Sequence, residues 1–102
     1  MIARVWRGAT CAEDAESYAA YLEETGMRAA RALPGSRGTL VLRRLRDGRA
    51  EFETILLFDS IDDVNAFAGE DLDAAVFFPE DERYLVEREP DVSHFEVDAH
   101  IV

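Results

Sequence analysis

Few side chains in this sequence suit chemistry, and they lie far apart along it. His94 titrates near neutrality, so it is the candidate to take a proton from a substrate. Trp6, within "MIARVWRG", can wall a pocket for a planar ligand and offer its N–H. Arg4 shares its strand face. Tyr18 and Tyr21 stand one helical turn apart and present two hydroxyls. Arg43 falls on a face otherwise made of Val41, Leu45 and Phe52, where a charge needs a partner. That partner is either an acid from a second copy of the chain or an anionic ligand. Each residue also has a plainer reading: a core or interface Trp, a strand His bonded to backbone or solvent, a tyrosine facing water.

The stretch "AVFFPEDERYL" offers three adjacent acids, Glu80, Asp81 and Glu82, after Pro79. Acid/base chemistry is one reading. The other is a helix start, since proline suits the first helical position and acids suit the positive end of the dipole. That capped turn accounts for all four residues without chemistry. Metal binding finds little support, because two His and one Cys show no ligand spacing and the acids cluster at helix starts. No glycine-rich phosphate loop and no Ser-His-Asp or Cys-His arrangement can be read. Cys11 reads as a small residue near a helix start, and His100 as a tail residue.

The elements that must position these groups follow from periodicity. Residues 2–10 alternate as a strand, with Ile2, Arg4 and Trp6 on one face and Ala3, Val5 and Arg7 on the other. Gly8 marks a bulge or bend. "AEDAESYAAYLEETGMRAARAL" carries Ala15, Tyr18, Ala19, Leu22 and Gly26 at helical spacing, with Gly26 a place to kink and Pro34-Gly35 a stop. "GTLVLRRLR" and "RAEFETILLF" flank Asp47-Gly48, a two-residue type I′ hairpin turn. That loop sets Arg44 opposite Glu51, Leu40 opposite Ile55, Arg43 opposite Phe52 and Val41 opposite Thr54. Asp59 or Ser60 caps a second helix whose inner stripe is Val64, Phe67 and Ala68. Gly69 ends it, and a further turn or two is expected through "LDAAVFF". "DVSHFEVDAHIV" alternates as a last strand, Val92, His94 and Glu96 facing one way and Ser93, Phe95 and Val97 the other. The order β-α-β-β-α-β predicts an α+β, ferredoxin-like fold with a four-stranded antiparallel sheet, as a single domain over residues 1–102.

The hairpin is apolar on both faces, with Leu40, Leu42, Ile55 and Leu57 on one and Val41, Leu45, Phe52, Leu56 and Phe58 on the other. Two helices cannot cover both sides of a sheet, so the second face predicts a homodimer.

Composition narrows the function classes. At 48 % apolar residues disorder is not expected. No apolar run approaches the ~20 residues of a membrane span, and Arg4 and Arg7 spoil the N-terminus as a signal peptide. A lone Cys makes no internal disulfide, so a cytoplasmic protein is expected. The net charge of −11 argues against a nucleic-acid partner. All eleven basic residues are Arg, a pattern that reads as codon bias more than design. Residues 28–49 hold seven Arg against Asp47 alone, while 59–98 hold fourteen acids against Arg83 and Arg88. The two segments are expected to neutralise each other, within the fold or across subunits.

The start "MIARVWRG", the middle "FETILLFDSIDDVNAFAGED" and the end "FFPEDERYL…HFEV" resemble small proteins of the antibiotic biosynthesis monooxygenase (ABM) domain family, within the dimeric α+β barrel superfamily. The resemblance implies a homodimer whose two sheets pack face to face, with a pocket between helices and sheet in each subunit. In the best-understood members that pocket holds an aromatic polyketide, and oxygen is activated without metal or flavin. Haem-degrading relatives share an early-strand Asn and a helix His. Here the first strand has no Asn, the first helix has no His, and the sole Asn is Asn65, so no cofactor is expected. The resemblance therefore implies a cofactor-independent monooxygenase acting on an aromatic or polycyclic small molecule. Its candidate catalytic residue is His94, and its candidate substrate-binding residues are Arg4, Trp6, Tyr18, Tyr21 and Arg43. The alternative is a non-catalytic dimer that binds or scaffolds a hydrophobic metabolite.

Overall fold

The computed structural model describes residues 1–101. A long first strand, β1 (Ile2–Cys11), runs through the middle of one antiparallel sheet. A helical stretch follows without a break: a 3-10 turn at Ala12–Asp14, α1 (Ala15–Leu22), a π turn at Glu23–Met27 and α2 (Arg28–Arg31). The hairpin is β2 (Ser36–Arg46) and β3 (Arg49–Phe58). Then come α3 (Ile61–Ala68), a short α4 (Asp81–Tyr84), β4 (Leu85–Arg88) and β5 (Ser93–Glu96). The sheet order is β2-β3-β1-β4, with β5 on the same margin of β1. This is the expected ferredoxin-like order.

The hairpin has the predicted register at all four expected pairs. Asp47 and Gly48 both take positive φ, 55° and 74°, as a type I′ turn requires. Ser60 caps α3, its hydroxyl accepting from the Asp63 N–H, and Gly69 ends that helix at φ 81°.

Three expectations differ. Residues 70–78 form no helix; they run as an irregular strap tied to the sheet margin by an Ala74–Asp91 bridge and the Ala75 N–H on the Pro90 carbonyl. The fourth strand begins earlier than expected and is split. β4 pairs with residues 8–10 of β1 and β5 with residues 2–5, interrupted at 89–92, where Pro90 has no N–H to give a ladder. The expected last strand stops at Glu96, and Val102 lies outside the described residues. Gly26, the expected place to weaken or kink the first helix, sits in the π turn, where the Thr25 hydroxyl donates to the Tyr21 carbonyl.

One sheet face packs on the helices. Along β3, Ala50, Phe52, Thr54, Leu56 and Phe58 are all buried, meeting Tyr18, Leu22, Met27, Ala30 and Val64. The other face is open. Ala3, Val5, Ile55, Leu57, Leu40, Leu42 and Phe95 cluster on it by register, and Leu40, Leu42 and Phe95 are 49 %, 44 % and 56 % exposed. Exposure on that scale, on neighbouring apolar residues, marks a surface meant for contact.

The charge segments pair less than their composition suggests. Of the basic segment, Arg37 meets Asp59 at 2.5 Å and Arg49 meets Glu87 at 3.3 Å. Arg31, Arg43, Arg44 and Arg46 find acids outside the acidic segment, at Glu23, Glu16 and Glu51. These are exposed pairs and contribute little to stability. No helix among the described residues is long and apolar enough to cross a membrane.

Candidate functional site

A cavity of about 50 Å³ lies between the helices and the buried sheet face, closed on its outer side by the strap. β1 supplies Arg4 and Trp6, α1 and the π turn supply Tyr18, Leu22 and Met27, and the strap supplies Phe77 and Phe78. The alternation of β1 places Arg4 and Trp6 on this side, and the i, i+4 spacing of α1 places Tyr18 and Leu22 there. A wider concavity of about 550 Å³ opens on the other face of the sheet, beside Arg7, Arg44, Glu51, Glu53 and Glu87. Its charges are taken up by the Arg7–Glu53 and Arg44–Glu51 pairs, so the smaller, apolar cavity is the candidate site.

Asp81 is the central polar group of the cavity; in the sequence it is one of three adjacent acids, read either as acid/base chemistry or as a helix start. It is 5 % exposed. One carboxylate oxygen accepts from the Tyr18 hydroxyl at 2.8 Å and the other from the Phe78 N–H at 2.7 Å. Burial raises the Tyr18 hydroxyl's pKa, and the bond to Asp81 and its negative charge raise it further, so this phenol stays protonated. Glu80 and Glu82 remain exposed near Arg83 and Arg88; Asp81 and Glu82 stand in the first turn of α4 as expected, but Pro79 precedes the helix and Glu80 at its N-cap makes no capping bond.

Tyr18 is fully buried, within an aromatic group of Tyr21, Phe52 and Tyr84. Tyr21 lies outside the cavity lining. Its hydroxyl accepts from the Glu80 N–H at 2.9 Å, so its work is to hold the start of α4. Trp6 walls the cavity edge-on to Phe77, and its N–H is taken by the Glu89 carbonyl at 2.8 Å, so it offers a face and no donor. Gly8 allows this. A Cβ there would stand 2.4 Å from the indole. Gly8→Ala is expected to push Trp6 off its seat at a cost of about 2 kcal/mol, read as a lower urea midpoint and a red-shifted Trp6 emission. An unshifted emission maximum would remove the steric argument.

Arg4 is 3 % exposed and reaches the strap from below, Nη1 donating to the Leu72 carbonyl at 2.6 Å and Nη2 to the Ala74 carbonyl at 2.7 Å. Nη1 also lies 3.1 Å from His94 Nε2. Arginine has no acceptor atom, so Nε2 must accept and the neutral ring carries its proton on Nδ1. His94 is not among the residues lining the cavity, and its basic nitrogen is already engaged by Arg4. Burial, then the Arg4 charge, lower its pKa below 6.5, against a smaller opposite pull from Asp73 at 3.8 Å. The unfolded chain therefore binds the more protons just below the ordinary value. The stability His94 contributes is complete above pH 6.5 and is lost as pH falls toward its folded pKa. His94→Gln is expected to flatten that part of the stability–pH curve between pH 7.5 and 5, measured by urea unfolding; an unchanged curve would contradict the assignment.

Arg43 is also placed differently. It is exposed and meets Glu16 of its own chain at 2.5 Å, so neither a partner's acid nor an anionic ligand is needed to balance it. The structure thus brings Arg4, Trp6 and Tyr18 into one cavity, adds Asp81, and leaves Tyr21, Arg43 and His94 outside it.

No family model matches the sequence, and no curated protein does. Solved structures match over nearly its whole length. A point mutant of MhuD with two manganese protoporphyrin IX molecules bound per active site aligns over 100 % of this chain and 99 % of its own, with a TM-score of 0.60 and 14 % identity. Rv0793 from Mycobacterium tuberculosis aligns over 99 % and 98 %, at 0.59 and 15 %. MhuD from Mycobacterium tuberculosis, described as a heme-degrader with two hemes in its active site, aligns over 100 % of both chains, at 0.55 and 14 %. At such identities the likeness is one of fold, and it is the fold that the sequence resemblance implies.

Haem does not fit the residues present. Among the described residues no His or Cys lines the cavity, Met27 is its one soft ligand atom, and the Tyr18 hydroxyl is already bound to Asp81.

Proposed function

We propose that this chain, with the fold implied by its resemblance to the ABM family, is a single-domain homodimer that binds an aromatic small molecule between helices and sheet. In each subunit the ligand's rings lie against Trp6, Leu56 and Phe67 after the strap side chains Phe77 and Phe78 swing outward. A ligand hydroxyl then meets the Tyr18–Asp81 pair. The observation that carries this reading is that pair: a buried phenol and a buried carboxylate, hydrogen-bonded, facing an apolar cavity.

The reaction that suits it is cofactor-independent oxygenation of a phenolic or anthrone-like substrate. Asp81, the one carboxylate lining the cavity among the described residues, accepts the substrate proton, while Tyr18 holds it in place. The resulting anion passes an electron to O₂ and the two radicals join as a C–O bond. Loss of water from the peroxide leaves a carbonyl, so CH₂ plus O₂ becomes C=O plus H₂O. His94 acts as a positioning residue through Arg4, in place of the direct proton acceptor that the sequence suggested.

The test is oxygen uptake with a panel of hydroquinones and anthrones. Wild type is expected to consume one O₂ per substrate, and Asp81→Asn to be slower by about 100-fold or more, within the range of one lost acid/base group. Equal rates in the two proteins would remove Asp81 from the chemistry. Ligand binding without oxygen uptake would favour the second reading, a non-catalytic carrier of a hydrophobic metabolite.

A further inference from the structure

Arg4 carries a charge into the middle of the fold with no carboxylate at ion-pair distance among the described residues. The acid acting on it is Asp73, whose side chain is 82 % exposed. A guanidinium has five N–H donors. The bonds to Leu72, Ala74 and His94 account for three, two on Nη1 and one on Nη2. That leaves the Nε N–H and one Nη2 N–H with no acceptor among the described residues, on a side chain that lines the cavity. Neighbouring N–H groups of this kind form the fork that takes a carboxylate through two parallel bonds. A buried cation without a counter-ion is costly, and an arriving anion relieves that cost.

We propose that Arg4 is the anion anchor of the cavity, and that the ligand is an aromatic acid whose carboxylate binds Nε and Nη2 while its rings lie on the apolar walls. This rests on the binding reading above and narrows it to a substrate class. The cavity sets the orientation. Arg4 pairs with Leu56 on β3, whereas Phe52, the ring packed under Tyr18, is four residues away. Four strand residues span roughly 13 Å. Asp81 repels the anion from the Tyr18 end, so the carboxylate goes to Arg4 and any ring hydroxyl toward Tyr18 and Asp81. The burial that lowers the guanidinium's proton affinity is offset once the anion is in place.

The experiment titrates the full chain with 2-naphthoate and with 2-naphthamide, which shares the rings and lacks the charge, following the emission of its single Trp, Trp6. At low salt the acid is expected to bind at least about ten-fold tighter, the value of one charge-assisted fork. Arg4→Lys, which keeps the charge and loses the fork, is expected to erase most of that ratio while keeping the wild-type circular dichroism. Equal affinity for acid and amide in wild type, or tighter binding of the amide, overturns the anion anchor and leaves the aromatic-binding reading standing. Failure of both probes to bind at millimolar concentration overturns the two together. Because the acid–amide comparison is made in the unmodified protein, its outcome does not depend on the variant folding.

Discussion

Asp81→Ala is expected to lower the stability of the chain by about 3 kcal/mol, a large loss for a single exchange in a short helical turn. The carboxylate accepts from the buried Tyr18 hydroxyl and the part-buried Phe78 N–H. Removing it leaves both without an acceptor, and each such group costs about 1–3 kcal/mol. An acid that merely complemented a helix dipole would cost well under 1 kcal/mol. The two explanations therefore separate cleanly. Tyr18→Phe is expected to cost about 1–2 kcal/mol, since Asp81 keeps its bond to Phe78. The double variant should cost about 1 kcal/mol less than the sum of the singles, because the two share one bond. Chemical unfolding at pH 7 reads all three. Simple additivity, or a loss below 0.5 kcal/mol for Asp81→Ala, would return Asp81 to the status of a cap.

Ile55→Glu is expected to weaken the dimer by at least about 100-fold while leaving the subunit folded. Ile55 lies in the open sheet face, opposite Leu40 on one side and Val5 on the other. In the dimer we propose, that face closes on its twin. A glutamate there would be buried without a counter-charge, at a cost of about 3–5 kcal/mol. In the free subunit the same side chain reaches water from the sheet surface, so the helix-side core is untouched. Sedimentation at 10 µM should show a wild-type dimer and a variant monomer with matching far-ultraviolet circular dichroism. A wild-type monomer at that concentration would sink the closed barrel; a variant dimer would move the interface elsewhere.

Much of the fold was written locally. Asp47-Gly48 dictates two positive φ angles, and those fix the hairpin register before any tertiary contact exists. Ser60 and Gly69 mark both ends of α3 through bonds made within a few residues. The alternation of β1 sorted Arg4 and Trp6 from Val5 and Arg7 correctly. What stayed hidden is non-local. Asp81 looks like its neighbours Glu80 and Glu82 until Tyr18, 63 residues earlier, is brought against it. "LDAAVFF" has helical composition, yet its backbone groups are taken by Arg4 beneath it and Pro90 beside it. Residues 85–88 gave no strand signal because the fourth strand is broken before it is long enough to show alternation. His94 was singled out for its ring alone, and nothing in sequence told that Arg4 would occupy its lone pair.

The broken fourth strand bears on how copies of this chain can meet. An exposed apolar sheet invites growth through its margins, where free N–H and C=O groups template further strands and lead to fibres. On one margin β4 and β5 are four residues each, parted at Pro90. On the other, β2 bends at Gly38, with φ 127°, and carries Arg37, Arg43, Arg44 and Arg46. Neither border offers a long neutral ladder to extend. Lateral polymerisation is thus discouraged at both sides, and in the dimer we propose a sticky surface is steered toward a finite pair instead of an endless filament.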